Sequence, residues 1–222
     1  MSLDHLSASE PWYPATRETD RKDYLALGAF LLRPALDALG RAGRPALFRV
    51  IDAAGSWMRS VARHLVLGTF SLGQWFNASS EGLIGRHYAG ALALTSGETP
   101  TPEALDTLDR EIDRQAGLLL RWKQQMIATA GGILIPDAGT TAKGILNRAA
   151  RYGGAIWGTA MKTLRRMRGG SAKQERRRLE EGAHHCGDCP YWASLGWQRP
   201  GVLADIGDTV CREGCRCWFI FR

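Results

Sequence analysis

Apolar residues recur every three to four positions over much of the chain, which is the spacing of one face of an α-helix. The clearest case follows Thr101, a good N-cap that precedes Pro102 at the first helical position. The predicted face contains Leu105, Leu108, Ile112, Gln115, Leu119, Trp122 and Met126. This heptad-like seam predicts a helix that packs against another helix, of this chain or of a partner, and that ends at Gly131 and Gly132.

The same spacing predicts helices on both sides of this segment. Upstream, an interrupted helical region covers 23–75 and a shorter helix covers 83–94. Downstream, a long helix covers 141–168, where glycines within 153–158 would allow another backbone to approach closely. Because the alternation typical of strands is missing, the sequence predicts a mainly α fold with a helical body.

The cysteines form a second pattern, since all five lie close to the C-terminus. Cys186 and Cys189 make a Cys-x2-Cys pair, and Cys211, Cys215 and Cys217 follow with the spacing Cys-x3-Cys-x-Cys. Thiolates spaced in this way can point at one ion, and zinc prefers four such ligands at the corners of a tetrahedron. The alternatives are ordinary buried cysteines and a disulfide, the second being uncommon in a reducing compartment. The spacing therefore predicts a small C-terminal zinc-binding knot.

Five thiols exceed the four positions around a tetrahedral ion. The expected ligands are Cys186, Cys189, Cys211 and Cys215, with Cys217 as the alternate and His185 as a replacement for one thiolate. A closed site of this kind has no open position for water, so we expect a structural Zn²⁺ and no catalysis at the metal. The aromatic residues around the cysteines would cover the site or dock it on the helices, and stacking on nucleic acid is the alternative.

Charge adds a third feature, because 29 Lys and Arg against 22 Asp and Glu give a formal net charge of +7. Most of the excess lies in a basic stretch over 143–178, where Glu175 is the one acidic residue. The cations are Lys143, Arg148, Arg151, Lys162, Arg165, Arg166, Arg168, Lys173, Arg176, Arg177 and Arg178. A one-signed patch attracts packaged DNA or an acidic protein surface, and a solvated helix face followed by a charged linker is the alternative.

These features divide the chain into four parts: an N-terminal arm over 1–20, a helical body over 21–168, a basic linker over 169–183 and the zinc-binding module over 184–222. A short charged helix is expected within the linker. No apolar run reaches the length of a membrane span and no secretory signal is visible, so we expect a soluble protein made in a reducing cytoplasm. No catalytic motif can be assembled by spacing, so no enzymatic activity is expected.

The C-terminal motif also resembles a known family. His-Cys-Gly-Asp-Cys at 185–189, Gly-Asp-Thr-x-Cys at 207–211 and Cys-Arg-Cys at 215–217 resemble the end of phage minor head proteins, the head-morphogenesis proteins of the Mu type. The helical segment at 115–122 and the string Arg-Ala-x-x-Tyr at 148–152 are similar in pattern and order. The chain departs from the family in its basic insert and in the three-residue gap before Cys215, which leaves the fourth ligand open.

The resemblance implies a structural virion protein in modest copy number, near the portal vertex or inside the head, acting in capsid assembly. Its expected partners are the portal protein, the major capsid protein and packaged DNA, and its expected location is the virion head, with the host cytoplasm during assembly. The first alternative is a zinc-containing DNA-binding protein that uses the basic stretch. The second is a nuclease, against which the lack of an open metal position argues.

Overall fold

The computed structural model describes residues 26–30, 43–95, 100–129, 132–134, 142–183, 185–208 and 215–222. This part of the chain is mainly helical, as the sequence predicts. Its labelled elements are α1 Arg44–Val66, α2 Leu72–Leu94, α3 Pro102–Gln124, β1 Ile127–Thr129, β2 Gly132–Leu134, α4 Ala142–Gly169, β3 Glu175–Arg178, α5 Asp188–Ser194 and β4 Trp218–Phe221. The predicted arm over 1–20 lies outside the described residues.

Helix α2 is the central element, because it packs against α1, α3 and α4. It begins with a capping box in which Ser71 and Gln74 exchange side-chain and backbone hydrogen bonds. The sequence placed this helix only over 83–94. Its first three turns were missed because two of their buried positions, Ser79 and Ser80, carry polar side chains, so no continuous apolar stripe is visible there.

Helix α3 confirms the predicted seam. Thr101 is its N-cap and accepts a hydrogen bond from the backbone N–H of Ala104, with Pro102 in the first turn. The buried members of the seam face α2 and α4, so the partner lies within this chain. The predicted end at Gly131 and Gly132 is wrong, because the helix stops at Gln124 and Gly132 pairs with Thr129 in an antiparallel hairpin.

Helices α1 and α4 make the closest helix pair of the fold. A Cβ on Gly153 of α4 would lie 2.7 Å from the backbone nitrogen of Gly55 and 2.8 Å from the carbonyl oxygen of Ile51. Glycine is therefore required at Gly153 for the two backbones to meet, as the glycines of this segment predicted.

The chain after α4 forms a strand where the sequence predicted a charged helix and a linker. Strand β3 pairs antiparallel with β4, with Glu175 opposite Phe221 and Arg178 opposite Trp218. Along β3, Glu175 and Arg177 are buried while Arg176 and Arg178 are more exposed. This is the alternation of a strand, and it was hidden because all four side chains are charged.

The C-terminal region shares a hydrophobic core with the helical body. One cluster of buried residues joins Leu47 of α1, Ile156 and Trp157 of α4 and the cysteines at 189, 215 and 217. A second cluster, at the other end of the bundle, contains Leu65, Trp75, Leu119 and Trp122. The described parts of the C-terminal module, 185–208 and 215–222, therefore pack against the helical body.

Candidate metal centre

Residues from two separate segments of the C-terminal region, 185–189 and 215–217, lie close together. His185 Nδ1, Cys189 Sγ and Cys217 Sγ all lie within 4.8 Å of one another, so these three side chains could hold a metal ion. Cys186 Sγ lies 3.5 Å from Cys189 Sγ, and Cys215 is buried beside them. We call these five residues the His/Cys cluster. Cys211, the remaining predicted ligand, lies outside the described residues.

The separations within the cluster fit a tetrahedral zinc site. With Zn–S bonds of about 2.3 Å and a Zn–N bond of about 2.0–2.1 Å, two sulfurs lie about 3.8 Å apart and a sulfur and a nitrogen about 3.6 Å apart. The Cys186–Cys189 sulfur pair at 3.5 Å and the distance of 3.8 Å from Cys217 Sγ to His185 Nδ1 are close to these values. Each of these two pairs thus has the separation of two ligands of one zinc ion, and His185, Cys189 and Cys217 lie close enough together to hold one.

The orientation of His185 is set by a hydrogen bond on its far side. Its Nε2 lies 2.8 Å from the carbonyl oxygen of Glu180, and a carbonyl can only accept, so Nε2 carries the proton and donates it. This contact turns Nδ1 toward the Sγ of Cys217, 3.8 Å away. Metal-binding histidines are commonly held in this way by a backbone carbonyl.

Arg177 supplies positive charge to the sulfurs from inside the core. Its side chain is 1% exposed, and its Nη2 lies 3.5 Å from Cys189 Sγ and 3.4 Å from Cys215 Sγ. Burial alone would lower the pKa of Arg177, but its hydrogen bond to Cys217 and the charges of the three thiols raise it. The guanidinium therefore stays protonated and offsets thiolate charge.

The thiols of Cys215 and Cys217 behave as a coupled pair. Hydrogen bonding from Cys217 lowers the pKa of Cys215 to about 5, assisted by the charge of Arg177 and opposed by burial. The same hydrogen bond, together with burial, raises the pKa of Cys217. The pair therefore carries a thiolate at neutral pH, which is the form that binds metals.

Three contacts tie this region to the helical body. Trp157 of α4 donates its indole N–H to the carbonyl oxygen of Cys217 at 2.7 Å and stacks on Phe48 of α1. Arg44, at the start of α1, pairs with Glu180 and lies over the ring of Trp218. The carbonyl that orients His185 belongs to Glu180, so the first turn of α1 supports the cluster.

Two of the predicted DNA-contacting cations of α4 are buried in ion pairs instead. Arg165 binds both carboxylate oxygens of the fully buried Glu175, the carboxylate of Asp205 and the carbonyl oxygen of Leu203. Lys162 Nζ lies 2.8 Å from Glu111 and 2.7 Å from Asp208. Burying an unpaired carboxylate is costly, so these cations hold the loop over 203–208 against α4.

The surface assignment is therefore wrong for Lys162, Arg165 and Arg177, which are 6%, 9% and 1% exposed. The basic stretch was identified by counting charges along the chain. Such a count does not consider the helical or strand periodicity that decides which side chains face inward. The buried cations fall on the inward faces of α4 and β3; in α4, helical spacing from the apolar residues could have indicated this, whereas the all-charged β3 offers no such signal. The other eight remain exposed or half-buried: Lys143, Arg148, Arg151, Arg166, Arg168, Lys173, Arg176 and Arg178.

Comparisons with known proteins identified no relative of this chain. No family model, no curated protein and no solved structure matches the chain. None of the helices in the described ranges combines the length and apolar content that a membrane crossing requires. Fold and site together define a mainly α-helical protein with a C-terminal His/Cys cluster that could hold a metal ion.

Proposed function

We propose that the chain is a structural protein of a tailed-phage head, a minor head protein of the Mu-type head-morphogenesis class. The observation that carries the proposal is the joint placement of the family-like motif. His185–Cys189 and Cys215–Cys217 are separated in sequence, yet they meet in one cluster packed on the helical body. Because the two segments of the motif lie together, we treat them as one structural unit.

The ion that suits this unit is Zn²⁺. Thiolate and imidazole donors at tetrahedral spacing select zinc over the harder cations, which prefer oxygen. His185, Cys189 and Cys217 would supply three of the four positions, and Cys186, whose Sγ lies 3.5 Å from Cys189 Sγ, would supply the fourth, which would leave no coordination site for a reacting water. The metal would hold the chain over 185–222 in its folded form, and metal binding would supply folding free energy to a region with few strands and one short helix.

The proposed role is structural and not enzymatic. Three long helices and a buried fourth give the protein a rigid body with several outward faces, and the exposed cations give it a positive surface. We propose the portal protein, the major capsid protein and packaged DNA as partners, with several copies in each head. Long-range attraction between a basic surface and DNA requires no recognition of sequence.

The test is to purify heads assembled with and without the gene and to analyse both by quantitative mass spectrometry. We expect the chain in the complete heads at modest copy number, and fewer or defective heads when the gene is absent. Heads of normal number, shape and infectivity that lack the chain would contradict the proposal. Tight binding to one duplex sequence by a chain that never enters heads would instead favour the DNA-binding regulator.

A further inference from the structure

We infer that an arginine-lined groove across α4 binds the phosphodiester backbone of nucleic acid. The groove consists of two adjoining clefts that share Arg151. The first, of about 590 Å³, lies between α3, α4 and the loop at 207–208, and the second, of about 840 Å³, lies between α1 and α4. Its five cations are Arg59, Arg114, Arg148, Arg151 and Arg216.

The groove differs from the basic stretch seen in the sequence. Arg59, Arg114 and Arg216 come from α1, α3 and the segment before β4, all outside 143–178. Arg148 and Arg151 are one helical turn apart and face the same side of α4. Folding therefore gathers cations from four places, which no count along the chain reveals.

The charge of the groove favours an anionic ligand. Two aspartates line it against the five arginines, and Asp208 is already paired with Lys162 at 2.7 Å. Arg114 is partly offset by Glu111, whereas Arg59 and Arg151 form no ion pair with any residue that the structure describes. The surplus of guanidinium groups remains available to a ligand.

Arg216 brings a cation from the C-terminal region to the second cleft. Its side chain lines that cleft together with Arg59 and Arg151, although it lies beside Cys217 in the sequence. Folding thus adds a guanidinium group from outside the helices to those that the helices supply.

The base of the two clefts and the arginines that line them are both compatible with a bound phosphodiester backbone. Gly55, Gly154 and Gly158 line the clefts, so the floor is bare helix backbone where α1 and α4 approach closely. All five cations are arginines, whose planar donor fork matches phosphate oxygens. They come from three helices and the segment before β4, and no exposed aromatic side chain lines the clefts to stack on single bases.

As an account of packaged DNA this inference rests on the function proposed above, but the groove can be tested on the purified chain. The double variant Arg59→Ala/Arg151→Ala removes two exposed cations of the groove, and Arg166→Ala/Arg168→Ala removes the same charge further along α4. Arg151 and Arg166 are about 22 Å apart along the helix axis. The binding of a labelled 20-base-pair duplex is measured by fluorescence anisotropy over a range of salt concentrations.

We expect the groove variant to bind on the order of tenfold more weakly at 0.1 M salt, with the slope of log K against log salt reduced by about 2. The control variant should change affinity by less than about threefold. Equal losses in the two variants, or no binding of the duplex by the wild type, would overturn the inference. Poly-glutamate binding that is as tight as DNA binding, and is lost in the groove variant, would overturn it in favour of an acidic protein surface.

The two proposals fail in different experiments. A chain that binds DNA through the groove but never enters heads would refute the head function alone. A chain that enters heads while the groove variant binds DNA normally would refute the groove alone.

Discussion

Each cation of α4 acts according to the face on which it lies. Arg165 points into the protein and neutralises Glu175, a carboxylate with no exposed surface, whereas its neighbour Arg166 is exposed. Replacing one of these adjacent arginines should therefore affect the stability of the protein strongly, and replacing the other should affect it little.

Replacing Arg165 by methionine is expected to destabilise the protein by about 3–5 kcal/mol, because Glu175 would be left buried and unpaired. Urea denaturation measures this free energy of unfolding. The matched variant Arg166→Met should change it by less than about 0.5 kcal/mol. Similar values for the two variants would show that Arg165 does not carry the structural role assigned to it.

His87 is a buried base without a hydrogen-bond partner among the described residues. Burial, assisted by the charge of Arg114, lowers its pKa from 6.5 to about 3. Because the folded state holds the neutral ring, the stability that depends on it is present above pH 6.5. It is lost as the pH falls toward 3.

We therefore predict that His87→Leu makes stability less sensitive to acid. Between pH 6.5 and pH 5 the wild type should lose about 2 kcal/mol more than this variant, at about 1.4 kcal/mol per pH unit. Replacing the exposed, non-titrating Leu67 by alanine is the control and should leave the pH dependence unchanged. Parallel stability curves for wild type and His87→Leu would contradict the prediction.

At the scale of elements, the α1–α4 contact depends on a single missing side chain. The Cβ of an alanine at 153 would meet the backbone of α1, which cannot move aside as a flexible side chain can. Gly117 of α3 provides the contrast, because a Cβ there would meet nothing within 4 Å.

The two glycines should therefore respond to alanine with opposite signs. Gly153→Ala is expected to destabilise by about 1–3 kcal/mol through overpacking. Gly117→Ala should stabilise by about 0.5–1 kcal/mol, because alanine favours the helix and fits the space. Thermal denaturation with calorimetry measures both, and a tolerated alanine at 153 would mean that α1 and α4 are not in close contact.

The sequence predicted those elements whose buried and exposed faces alternate with helical spacing. Helices α3 and α4 were found at nearly their full lengths, because each carries an apolar stripe opposite charged residues. The start of α2 was missed because the buried Ser79 and Ser80 interrupt its apolar stripe. Strand β3 was missed because its inward residues, Glu175 and Arg177, are charged and gain their burial only from partners far along the chain.

The candidate site was predictable to a similar extent. The spacing of the cysteines located the cluster, and His185 was foreseen as a substitute ligand. The contributions of Arg177 and of the Glu180 carbonyl were not, because both depend on how β3 and the following turn fold back on the cysteines. Contacts between residues distant in the sequence are set by tertiary packing, and they produce no recognisable pattern in the local sequence.

At the scale of the molecule, two of the hydrophobic clusters would differ in their dependence on the proposed zinc ion. The cluster that contains Cys189, Cys215 and Cys217 also includes the second half of α4, whereas the cluster around Trp75 and Trp122 includes no cysteine. Losing the ion would therefore loosen one end of the bundle more than the other.

Chelation of the metal is expected to increase hydrogen exchange over 175–183, 185–208 and 215–222 and in the second half of α4. Exchange in the second half of α3 and in the first half of α2 should change little, because their buried residues belong to the cluster at the opposite end. Exchange measured by mass spectrometry with and without a zinc chelator tests this. A uniform change over all described helices would contradict the division into two clusters.

The central claim is that the His/Cys cluster holds a structural zinc ion. Elemental analysis of the purified full chain tests it most directly, with Cys189→Ser as the variant and Ser194→Ala, a surface change in α5, as the control. The account predicts about one zinc ion per chain in the wild type and in the control, and a large loss in Cys189→Ser. A wild-type chain without bound metal, or a Cys189→Ser chain that retains its full zinc content, would contradict it.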